Sequence, residues 1–190
     1  MPDELHLSLW LRGFREEKML EHFGEMLRVF PFSCLRPGLA SLKVYALEYA
    51  EPPLLEHAFS GVPELETVVG MFQEFENADC VYIVEGWWDL WKYKEAWQLT
   101  PSRVSLICFG PQFENDERDS LRIDFGPEDA FLPEPGVPDS ARAARSNLQS
   151  VLRLVEDLEE ALPLERKNLW SESEENFAEH LESALDGEVM

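Results

Sequence analysis

Leu5, Leu7, Leu9 and Leu11 alternate with His6, Ser8, Trp10 and Arg12, a period of two that predicts a strand with one apolar side. Gly13 closes it. From Arg15 the period lengthens, and Met19, Leu20, Phe23, Met26, Leu27 and Phe30 recur three and four apart, which predicts a helix with one buried stripe, ended by Pro31. Leu39 to Tyr49 is aliphatic and aromatic enough for a second strand, broken by Glu51-Pro52-Pro53, and Leu54 to Phe59 is read as a short return strand. Pro63, Glu64 and Glu66 suit the start of a second helix, with Leu65, Val68, Val69 and Phe72 facing inward.

Two short apolar runs follow, Cys80 to Val84 and Val104 to Phe109, each bounded by turn residues. They predict central strands buried on both faces. Between them lie Trp87, Trp88, Trp91 and Trp97, with Tyr93 interleaved, on what reads as a connection. Leu121 to Phe125 alternates cleanly, so Arg122 and Asp124 are expected to point away from the core, and the polar insert Gln112 to Ser120 should close a hairpin.

Pro133 to Pro138 is the best boundary in the chain. Beyond it, with Asp139 or Ser140 as cap, Ala141, Ala144, Leu148, Val151, Val155, Leu158 and Leu162 step by three and four, a heptad-like seam on a helix spanning 139–162. A seam of that size must be covered, either by the second face of the chain's own sheet or by a twin helix in a homodimer. A final short amphipathic helix is predicted with Phe177, Leu181 and Leu185 inward. The organisation expected is a sheet domain over 1–132, the connector 133–138, and helices over 139–190 packed on that domain or in a dimer.

The first six elements run strand, helix, strand, strand, helix, strand. That order resembles the βαββαβ arrangement of ferredoxin-like folds, which implies an α+β protein with an antiparallel sheet, here extended by a hairpin and followed by the C-terminal helices. It implies nothing about function.

Charge narrows the function classes. The chain has 38 acidic and 16 basic residues, a net charge of −22, with −14 of it in residues 112–190. Such a charge repels nucleic acid and anionic membranes and favours a basic protein partner; an inhibitor or immunity-type role fits it. There is no apolar run long enough to span a bilayer, and Cys34, Cys80 and Cys108 form neither a disulfide framework nor a zinc pattern, so a reducing, cytoplasmic setting is expected. His6, His22, His57 and His180 lack ligand spacing, and no nucleotide-binding or hydrolase motif is present, so no metal and no cofactor is expected.

Two functional readings follow. In the first, a non-enzymatic protein uses Trp87, Trp88, Trp91, Trp97 and Tyr93 to bind another macromolecule, since aromatic rings anchor interfaces. In the second, the same rings wall a small-molecule or catalytic pocket that gathers Glu85, Asp89 and Asp124, with Glu114 nearby. The first is favoured, because carboxylates are so numerous that proximity among them carries little information.

Overall fold

A computed structural model describes residues 3–172. One seven-stranded antiparallel sheet organises them: β1 (Glu4–Leu11), β2 (Leu39–Ala46), β3 (Leu55–Ala58), β4 (Cys80–Lys94), β5 (Ala96–Phe109), β6 (Leu121–Pro127) and β7 (Leu164–Ser171). Their spatial order is β3-β2-β4-β5-β6-β1-β7. Three α-helices, α1 (Glu16–Val29), α2 (Leu65–Gln73) and α3 (Ser140–Ala161), complete the α+β fold.

The alternation in β1 puts Leu5, Leu7, Leu9 and Leu11 into one core cluster with Met19, Leu20, Phe23, Met26 and Leu27 of α1, Val68 and Phe72 of α2, and Leu148, Val151, Leu154 and Leu158 of α3. All three helices therefore lie on one side of the sheet. This corrects the expectation that the heptad-like seam covers the second face. The seam meets the first face beside α1 because its buried stripe is wider than a coiled-coil seam, including Ala143, Asn147 and Leu154 as well as Ala144, Leu148, Val151 and Leu158. Ala144, Leu148, Val151, Leu158 and Leu162 of the predicted seam are buried within the chain, and Ala141 and Val155 are half-buried.

The element order through β4 is strand, helix, strand, strand, helix, strand. In the sheet, however, β1 pairs with β6 and β7 and not with β2, β3 or β4, so these six elements do not form a four-stranded unit of their own. Strand β7 escaped sequence reading because Leu164 to Ser171 is mostly polar, as befits a strand at the sheet's edge. The predicted helix carrying Phe177, Leu181 and Leu185 lies outside the described residues. No helix among those described is long and apolar enough to cross a membrane.

The largest departure from expectation concerns the tryptophan-rich segment. It is no connection. Strands β4 and β5 run without a break to a turn at Glu95, whose φ of 65° is left-handed, and they pair along their whole length from Val81 with Phe109 to Lys94 with Ala96. Strand β2 leaves β4 at Gly86 and β6 leaves β5 at Ser105. Residues beyond those points form a two-stranded arm projecting from the sheet. Pro101 is tolerated there because β5 has a neighbour on one side only.

Candidate functional site

A two-stranded hairpin is marginal in water without further support. The arm gains it from the helix side. Trp88 is 1% exposed and packs its ring against Phe30, Phe125 and Phe131, and Leu90 is buried beside it in the main core. Asn147 of α3 then grips the strand: its Oδ1 accepts the Trp91 backbone N–H at 2.8 Å, and its Nδ2 donates to the Trp91 carbonyl at 3.0 Å and to the Ala130 carbonyl at 2.7 Å. At the tip, Trp97 Nε1 donates to the Pro138 carbonyl at 2.6 Å. Ser140 fastens the same proline-rich connector, accepting from the Glu134 N–H at 3.1 Å and donating to its carbonyl at 2.9 Å. It does this instead of capping α3, and Asp139 makes no side-chain cap either.

The five aromatic residues singled out in the sequence separate into two roles. Trp88 is a core residue, and the expectation that its ring meets a partner does not hold: alternation along β4 turns it toward the helices. Its indole N–H has no acceptor among the described residues. Trp87, its neighbour on the opposite face, is half-buried under the Arg36 guanidinium, 3.8 Å above the ring centre, with Arg103 at 5.4 Å. Trp91 is 37% exposed, Tyr93 41% and Leu99 45%. Cross-strand pairing places Trp91 opposite Leu99 and Tyr93 opposite Trp97, the latter rings 5.3 Å apart. The result is an apolar strip on a supported arm.

The carboxylates do not converge. Glu85 and Asp124 lie on one row across the open face, Glu85–Ser105–Asp124–His6–Trp170, with β5 between them. Two strand spacings put them roughly 10 Å apart. Each has its own partner. Glu85 accepts from Lys43 Nζ at 3.2 Å and from Arg103; burial works against its charge, but these two cations outweigh it and hold the carboxyl below the usual range. Asp124 pairs with His6 Nδ1. Asp89 accepts from Ser33 Oγ at 2.5 Å and from the Cys34 N–H at 3.0 Å, fixing the loop that enters β2. Glu114 lies apart from all three, on the 112–120 loop, lining separate grooves.

His6 is buried, with Trp170 against its ring at 4.4 Å and Glu172 3.6 Å from Nε2. Burial favours the neutral imidazole and Arg122 adds to that, yet the hydrogen bond and charge of Asp124, with Glu172, prevail and raise its pKa above 6.5. Beside it, Asp119 is fully buried and takes both Arg122 Nε and Nη2 at 2.8 Å, an ion pair that pins the 112–120 insert to the sheet. That insert also plants Phe113 on Val81, Ile107 and Phe109, giving the central strands the second buried face the sequence implied.

A cleft of about 500 Å³ opens beneath the arm, where β5 and β6 part. Trp91, Trp97, Tyr93, Lys92 and Arg103 line it together with Asp124, the only one of the three candidate carboxylates there. Among the described residues no group of three or more His, Cys, Asp or Glu gathers as a metal site. The arrangement can bind through apolar contact and through the charges of Lys92, Arg103, Glu4, Asp124, Asp129 and Glu134 on its walls.

Sequence reasoning missed Asn147 and Leu99. Asn147 left a signal, a polar residue beside the apolar stripe of a helix, which in a buried setting must find partners. Leu99 left none, because its segment lacked any strand pattern. No protein-family model, curated protein or solved structure matches the chain.

Proposed function

We propose that this chain is a non-enzymatic interaction protein whose working surface is the β4–β5 arm. One observation carries the reading: Trp91, Tyr93 and Leu99 are exposed side by side on a hairpin that α3 and the core hold in place. Large apolar side chains on a supported element lose little entropy when a partner covers them, and Trp and Tyr dominate the binding energy of protein interfaces. The net charge of −22 biases long-range encounter toward partners that are basic overall, as would suit an inhibitor or immunity-type protein acting in the cytoplasm. The arm itself does not share that excess: past Asp89 its only acid is Glu95, against Lys92, Lys94 and Arg103.

A photoreactive amino acid placed at Tyr93 or Leu99, and at Leu152 on α3 as an equally exposed control, tests this in the native cell. The expected result is a discrete cross-linked species from the arm positions, lost when Trp91 is replaced by alanine. Equal cross-linking from the control position would remove the arm from the reading.

The 500 Å³ cleft favours a second reading, a small-molecule site with Trp97 and Tyr93 as walls and Asp124 as the polar contact. A thermal-shift screen of sugars, amines and nucleosides that moves the melting point of the wild type but not of Asp124→Asn would support it over the first.

A further inference from the structure

Charge is not spread evenly over the folded chain. From Leu90 to Phe113 the only acid is Glu95, against Lys92, Lys94 and Arg103; from Ser140 to Val155 there is none, against Arg142, Arg145 and Arg153. Six of the 16 bases and one of the 38 acids thus fall in two stretches totalling 40 residues. The fold joins these stretches through the Asn147–Trp91 hydrogen bonds. The indoles of Trp91 and Trp97, with Asp139, Arg142, Ala143 and Ser146, line a cleft of about 280 Å³ between arm and helix.

Arg142 is exposed at this junction, and Lys94 is exposed at the tip of the arm. Lys92 sits below the usual lysine range, through burial first and then the charge of Lys94. Asp139 is the one acid on the wall of this cleft, and the neighbouring larger cleft, which Lys92 shares with Glu4, Asp124, Asp129 and Glu134, marks where the chain's negative surface resumes.

We propose that the arm and the first half of α3 dock an acidic segment of a protein partner. An apolar side chain of that segment enters the cleft between Trp91, Trp97 and Ala143, and a carboxylate of the same segment meets Arg142. At about 280 Å³ the cleft stands at the lower end of the ~300–1,000 Å³ of small-molecule sites, with room for one side chain of a partner. Trp beside Arg in a partly dry pocket is the composition of interface hot spots, and a guanidinium takes a carboxylate through two parallel hydrogen bonds. A nucleic acid is disfavoured because its phosphates would run on from this small patch into the −22 background, whereas a peptide can confine its acids to the patch. A partner that is basic overall can still meet the arm through such a segment.

The inference rests on the arm being the working surface, and one experiment separates the two. A phage-displayed library of random dodecapeptides is selected on the full-length protein, with parallel selections on Trp91→Ala and Arg142→Glu chains whose melting points match the wild type. The expected outcome is enrichment of peptides with net negative charge and a large apolar residue, lost on both variants, with the best synthetic peptide binding Arg142→Glu roughly tenfold or more weakly, as for a charge pair at an interface. Neutral or basic winners that depend on Trp91 but not on Arg142 overturn the acidic specificity and leave the arm. Winners indifferent to Trp91, or no enrichment at all, overturn both. An oligothymidylate binding as tightly as the best peptide overturns the choice of a protein partner.

Discussion

The two faces of the sheet obey different rules. On the helix side, Leu5, Leu7, Val84, Trp88, Leu106 and Ile123 join one dry cluster in which hydrophobic burial supplies the driving force. On the open side, the buried apolar cluster among the described residues is the patch under Phe113, and around it lies a mosaic of ion pairs and stacked rings: Glu85 with Lys43 and Arg103, Asp124 with His6, Arg122 with Asp119, Trp87 under Arg36. Adjacent residues of one strand, Trp87 and Trp88, belong to the two regimes. A tryptophan's role here is set by the parity of its position, not by its type.

That contrast can be broken at its sharpest point first. Trp88→Ala should cost about 3–5 kcal/mol, the range for emptying a large aromatic site in a core, whereas Trp87→Ala should cost about 1 kcal/mol or less, the worth of a partly exposed cation–π contact. Urea unfolding of the pair checks it, and equal losses would abolish the distinction. Trp88→Phe should lose much less than the alanine change, because it keeps most of the ring contacts and removes an indole N–H that has no acceptor.

Asn147→Ala comes next, at about 2 kcal/mol, since it strips partners from the Trp91 backbone and the Ala130 carbonyl at once. Hydrogen exchange should then rise at Trp91 and its neighbours before it rises in β1.

The open face should show its own pH dependence. Because the folded pKa of His6 is raised above 6.5, its pairing with Asp124 stabilises the fold fully below pH 6.5 and is lost as pH rises through the folded value. Melting curves should fall over that interval for the wild type and flatten for His6→Gln. The smallest change is Glu85→Gln, about 1 kcal/mol or less, because Arg103 and Lys43 regain water when the carboxylate goes. Its measurement fixes how little such surface pairs contribute beside the core.

Most of the helix side was legible in the chain. The leucine alternation of β1 and the spacing of Met19, Leu20, Phe23, Met26 and Leu27 each state a period and a face, and both formed as read. The arm was not legible, for a physical reason. Past Gly86 its two strands lose their outer neighbours, so exposed and buried positions cease to alternate in hydrophobicity, and Lys92, Lys94, Gln98 and Pro101 resemble a loop. The candidate rings were therefore found, while their directions were not. The pairing of α3 with the arm was hidden more deeply, because it depends on one asparagine reaching backbone atoms 56 positions away in sequence.

The thiols carry a practical consequence. Cys80 and Cys108 are buried and pushed up in pKa by that burial, while Cys34 lies exposed in the Asp89-anchored loop at the root of the arm. The unaltered protein thus comes with a single sulfur that a maleimide dye can reach. A fluorophore attached there would stand beside the proposed docking strip without any engineered cysteine, so that a passing partner could be timed on the wild-type chain itself.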